Sequence, residues 1–208
     1  MWLKTIVACF GIVTCLNIHG QDAIVFPDFA DADIHAKNLK ISRIRTLQGL
    51  ADEITSPFND DFLKARAIYT WIAYNVKYDC LAKHKLRRQL KDPLAVAQKG
   101  RALGTGYSAL FAELCIRSGI PCNVIHGFMR PDVEWIGKKL NKNIHAWNAI
   151  HLNRKTYMVD VTWAAGYTNK RYTRFYPKFD STWFFVNPGT FLLSHFPKKR
   201  QIGLLRNF

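Results

Sequence analysis

Apolar positions recur at helical spacing from Asp60 onward. Phe62, Ala65, Ile68, Tyr69, Ile72 and Val76 share one face behind an aspartate suited to cap the first turn, so a helix is predicted from Asp60 to about Tyr78. A weaker pattern predicts a second helix within residues 43–55. Residues 83–92 read as a charged connector, and Pro93 opens a short helix reaching about Gln98, because proline in the first turn forfeits no hydrogen bond. The next helix begins after Gly104. It sets Tyr107, Leu110, Phe111, Leu114 and Cys115 along one face, which turns Cys115 inward, and ends at Gly119. Asn123 to Phe128 reads as a short strand, residues 131–143 as a polar loop, and Ile144 to Leu152 and Lys155 to Val161 as two strands joined by Asn153-Arg154.

The register of that hairpin decides which side chains meet. If Leu152 pairs with Lys155 across a two-residue turn, Trp147 faces Asp160 and His145 faces Thr162. His145 and Asp160 then lie diagonally on one face at roughly 7 to 8 Å between backbones, within side-chain reach. A three-residue turn would send Asp160 to the other face. Asn153 suits the left-handed turn conformation and Arg154 does not, so a four-residue loop with the same register is an equal solution.

Composition adds compartment and charge. Residues 1–20 are apolar after a single Lys4 and finish in Ile18-His19-Gly20, the pattern of a signal peptide cleaved before Gln21. The apolar run is interrupted by Lys4, Thr5, Gly11 and Thr14 and is shorter than the ~20 residues a membrane span needs. The expectation is an exported chain, periplasmic or secreted, with residues 21–208 forming one domain, since no repeat or low-complexity linker divides them. A formal net charge of +15 favours anionic partners, including a peripheral membrane surface. The basic residues are scattered and form no nucleic-acid reading motif, so no nucleic acid is expected. Beyond the leader remain Cys80, Cys115 and Cys122, with no metal-ligand spacing. A disulfide between Cys115 and Cys122 stays open.

Several ordered blocks carry a resemblance. Lys64-Ala65-Arg66-Ala67-Ile68-Tyr69-Thr70-Trp71-Ile72, the run from Gly100 to Tyr107, His145-Ala146-Trp147-Asn148, and Asp160-Val161-Thr162-Trp163 occur in that order, followed by Trp183-Phe184-Phe185-Val186-Asn187-Pro188 and Ser194-His195-Phe196-Pro197. Together the blocks resemble the transglutaminase-like superfamily, in the branch with kyphoscoliosis-type peptidases, fungal cytokinesis regulators and bacterial exported proteins. The resemblance implies an α+β, papain-like domain with helices packed on an antiparallel sheet. It also implies a Cys-His-Asp triad in which His145 is the base, Asp160 its orienter, and Tyr107, Trp147 and Trp163 line the cleft or fill the core beside it. Gly104 stands where active relatives carry the nucleophilic cysteine.

Losing a nucleophile costs on the order of 10⁶ in rate, judged from the subtilisin case. Cys115 lies roughly 16 Å, about three helical turns, along the axis from Gly104, too far to substitute. Three readings follow. The chain is a noncatalytic exported module binding a peptide, a glycan or an anionic cell-envelope component. Alternatively it is a cysteine peptidase or transglutaminase with a relocated thiol, or a hydrolase in which His145 and Asp160 activate water. No cofactor or metal is implied, and calcium finds no acidic cluster. His126, His151 and His195 carry no site signal and read as structural or exposed.

Overall fold

The computed structural model describes residues 26–130, 144–198 and 201. The leader predicted over residues 1–20 and the polar loop predicted over 131–143 lie outside the described residues. Among those described, no helix is long and apolar enough to cross a membrane.

Two layers meet around a main core, and Ile125, Trp147, Ala149, Met158 and Phe191 form a second, smaller cluster. The helical layer begins with α1 (Ala30–Asn38), α2 (Leu47–Thr55) and α3 (Asp61–Asn75). Asp60 caps α3, its Oδ1 accepting from the Phe62 and Leu63 N–H groups. Helix α3 ends at Asn75, earlier than its periodicity suggests, because Lys77–Tyr78 extends as β1 to pair in parallel with β2 (Arg101–Ala102). Helix α1 has little apolar periodicity and buries only Ala32 and Ala36. Its anchor is electrostatic: Asp33 accepts from Arg66 Nε at 2.7 Å and Nη2 at 2.8 Å and from Thr70 Oγ1 at 2.5 Å. The Arg66 guanidinium also lies 5.0–5.5 Å from the ring centres of Phe29, Tyr69, Phe179 and Phe184.

The short α4 (Cys80–Lys83) precedes the charged connector, and α5 (Pro93–Lys99) follows it behind an Asp92 cap. Helix α6 (Gly104–Arg117) then runs against the sheet. Gly119, at φ +81°, supplies the left-handed residue that terminates it.

The sheet is antiparallel, in the order β5-β4-β3-β8, formed from β3 (Cys122–Met129), β4 (Ile144–Leu152), β5 (Lys155–Val159) and the late β8 (His195–Pro197). The β4–β5 register pairs Leu152 with Lys155 across a two-residue turn, with both Asn153 and Arg154 at positive φ. The turn is the two-residue one despite Arg154, because a primed turn matches the strand twist. The predicted second strand is too long by two residues. Strand β5 stops at Val159, and Asp160 instead caps a short helix, α7 (Val161–Ala165), that turns back over α6. The small sheet of β6 (Gly166–Thr168) and β7 (Phe175–Pro177) and the short α8 (Pro188–Phe191) complete the described chain. Strand β8 docks on β3 at Gly127, where a Cβ would collide with the Phe196 carbonyl oxygen and the Trp147 ring.

Candidate active site

Three elements converge on one point: the start of α6, the start of β4, and the β5–α7 junction. Asp160, fully buried, is fixed through Oδ1 by the Thr162 N–H at 2.9 Å and the Trp163 N–H at 3.2 Å. Capping α7 therefore aims the other carboxylate oxygen, Oδ2, at the sheet. There His145 Nε2 donates to it at 2.7 Å. The opposite ring nitrogen of His145, Nδ1, faces the start of α6. A Cβ on Gly104 would stand 2.9 Å from Nδ1, 3.1 Å from Cε1 and 3.6 Å from Thr162 Oγ1. The imidazole thus lies over a helix amino terminus with its carboxylate partner behind it, in the order a thiol, imidazole and carboxylate relay requires. The ring sits closer than a side chain at residue 104 would allow.

His195, which carries no site signal in the sequence, is a full member of this cluster. Its Nε2 lies 3.1 Å from the same Asp160 Oδ2, its Nδ1 lies 2.8 Å from Ser194 Oγ, and it is completely buried. Phe191 stacks on it at 3.8 Å between centres, with Trp163 at 4.6 Å and Trp147 at 5.0 Å.

The aromatic residues divide. Tyr107 is fully buried, its hydroxyl donating to the Val76 carbonyl at 2.6 Å, and Trp147 is fully buried against Phe191. Both are core residues and line no cleft. Trp163 alone of the three is half-exposed, its ring stacked 5.9 Å from His145. Gly104 and Thr105 are also half-exposed, so the site opens to solvent at the helix start. A surface groove of about 570 Å³, lined in part by Ile41, Arg43, Trp71 and Gln98, includes none of these residues.

Charge follows from the geometry. Burial alone would raise the Asp160 carboxyl, but the charge and hydrogen bond of His145, with those of His195, overcome it and hold the carboxyl well below the usual carboxylate range. Burial pushes His195 below the ordinary imidazole value, against the hydrogen bond and charge of Asp160. On unfolding, His195 gains proton affinity, so the unfolded chain binds more protons as pH falls through about 6.5. The stability measured by urea unfolding is therefore expected to drop between pH 7 and pH 5, and His195→Gln should flatten that drop. His126 and His151, both lowered by burial, add to the drop in the same direction. The Asp160 contribution has the same sign and is lost only at lower pH, as the unfolded chain's carboxyl takes up its proton below about 4.

No thiol reaches the cluster among the described residues. Cys80, Cys115 and Cys122 are free. Burial, a hydrogen bond with Cys122 and that thiol's charge push Cys115 well up, and burial with the neighbouring Asp79 raises Cys80, the reverse of an activated nucleophile. Cys115 and Cys122 are neighbouring thiols and form no disulfide. Among the described residues, one trio offers metal-ligand atoms close together: His145, Asp160 and His195, all within 4.8 Å. Two imidazoles and a carboxylate suit zinc or ferrous iron. The atoms that would hold an ion are, however, those already engaged in hydrogen bonds, on the edge of His145 turned away from Gly104.

The fold and the imidazole–carboxylate pair at a helix start define the papain-like class of domains. Within that class, the family model of the Transglutaminase-like superfamily matches residues 48–176, and the chain belongs to that superfamily. It is similar to the human kyphoscoliosis peptidase, 26% identical over 179 residues, covering 86% of this chain and 27% of that protein. The mouse kyphoscoliosis peptidase is 27% identical over 161 residues, covering 77% and 24%. The chain thus spans about a quarter of the length of these relatives. A solved structure of a candidate cysteine protease from Cytophaga hutchinsonii aligns with a TM-score of 0.45 and 20% identity, over 66% of this chain and 40% of that one.

Proposed function

We propose that the protein is an exported, noncatalytic member of its superfamily, whose cleft beside His145 and Trp163 binds a peptide of the cell envelope or its surroundings. The observation that carries this reading is the glycine at the start of α6, beneath Nδ1 of His145. A base and its orienter surround a position with no nucleophile, and glycine there supplies no sulfur for the thioester through which a cysteine enzyme's reaction passes. The raised thiols of Cys80 and Cys115 speak against a relocated nucleophile. The apolar opening segment supports export, and the net charge of +15 supports attraction to anionic surfaces. Relatives named as peptidases make a peptide the first ligand class to try.

The test is retention of the mature protein on immobilised envelope fractions and peptide arrays. Combined His145→Gln and Trp163→Ala substitution is expected to weaken retention at least about tenfold, as loss of an aromatic anchor does at interfaces. Unchanged retention, with loss on charge reversal of Lys85 and Arg88 instead, would move the binding surface away from the cleft and overturn the reading.

A further inference from the structure

The start of α6 has donors without acceptors. Helices α2, α3, α5 and α7 carry side-chain caps from Thr46, Asp60, Asp92 and Asp160, but the residue before α6 is Leu103, whose side chain has no acceptor to offer. Among the described residues, the N–H groups of Gly104 and Thr105 meet no acceptor, while those of Gly106 and Tyr107 turn back to the Leu103 carbonyl. A 14-residue helix concentrates partial positive charge at this half-exposed end.

Thr162 supplies an independent sign of a ligand. The residue is only 8% exposed, and its Oγ1 is buried without a hydrogen-bond partner among the described residues. That oxygen lies 3.6 Å from where a Cβ on Gly104 would stand, so it is turned to the same point. A buried hydroxyl left unpaired destabilises the fold, whereas valine would fill the same volume without that cost. His145 Nδ1 borders the point from the sheet side. The basic connector borders it from the other: Gln89 Nε2 donates to Thr105 Oγ1, and the Leu90 carbonyl lies against Gly106. That connector carries Lys85, Arg87, Arg88 and Lys91; Arg87 and Arg101 pair with Asp79, and Asp92 caps α5.

We propose that this point binds the free carboxylate at the carboxyl terminus of a peptide. This rests on the peptide-binding reading above and names the end of the peptide that is held. One carboxylate oxygen accepts from the Gly104 and Thr105 N–H groups, and the other from the Thr162 hydroxyl. Glycine at 104 keeps the backbone donors uncovered. No bond is made or broken.

The probes are N-acetylated tripeptides, each as the free acid and as the matched carboxyl-terminal amide, titrated calorimetrically against the mature protein. Acids are expected to bind at least about tenfold tighter than their amides, as charge-assisted hydrogen bonds require. Thr162→Val should bring that ratio close to one while raising Tm by about 2–4 °C, since an unpaired hydroxyl is removed. Attraction to the general positive charge would leave the ratio intact in Thr162→Val, and that result overturns the site. Equal binding of acids and amides by the native protein overturns it too, while leaving a peptide cleft in place. Binding of neither form overturns the site, and retention on envelope fractions then decides the wider reading separately.

Discussion

Gly104→Cys is expected to hydrolyse fluorogenic peptide amides, or to transfer their acyl group to an amine, at least about 10³-fold faster than the native protein. A sulfur at residue 104 stands at the amino terminus of α6, where the helix field and an adjacent imidazole favour thiolate. His145 Nδ1 is already turned to that position, and Asp160 already holds Nε2. The gain falls short of the roughly 10⁶ that separates subtilisin from its nucleophile-less variant. The ring lies 2.9 Å from the new Cβ and must retreat by a few tenths of an ångström while Asp160 grips its far side. Initial-rate assays of both proteins under reducing conditions check the expectation. Equal rates would mean that the surroundings of residue 104 cannot support acyl transfer.

The largest loss of stability is expected from Asp160→Ala, about 3–5 kcal/mol, because the substitution breaks a buried charge network from its centre. The carboxylate closes four hydrogen bonds: Oδ1 accepts from the Thr162 and Trp163 N–H groups, and Oδ2 contacts His145 and His195. Alanine leaves all four donors without their acceptor around a fully buried position, and it removes the cap of α7 as well, worth about 1 kcal/mol by itself. Asp160→Asn should cost less, since its amide oxygen still caps α7 while its nitrogen faces the two imidazoles. Equilibrium denaturation of the three proteins gives the order native, Asn, Ala. A loss under about 1 kcal/mol for alanine would show that the network contributes little to the fold.

What the sequence makes legible here is local. The aspartate cap and the spacing from Phe62 to Ile72 give α3, and the β4–β5 register follows from one pairing across Asn153-Arg154, which is why His145 and Asp160 are brought within reach. The role of Asp160 as a helix cap is not read from the sequence, because Tyr157, Met158, Val159 and Val161 on either side of it read as one continuing strand. His195 gave no signal on its own. It reaches Asp160 only because β8 crosses to the far edge of the sheet and pairs with β3, a contact between distant segments that no periodicity encodes. Tyr107 and Trp147 show the converse limit: an aromatic side chain beside a site residue reads alike whether it lines a cleft or fills the core, and burial decides. Helix α1 escaped notice because a buried arginine pair, and no apolar stripe, fastens it to α3. The orphan hydroxyl of Thr162 is visible only once α7 folds back over α6.

The absence of a thiol at the imidazole is tested most directly by treating the native protein and Gly104→Cys with a peptidyl vinyl sulfone at neutral pH and mapping adducts by mass spectrometry. The variant is expected to carry one adduct, at residue 104, and the native protein none at Cys80, Cys115 or Cys122. Rapid stoichiometric labelling of any of these three cysteines in the native protein, abolished by His145→Ala, would contradict it.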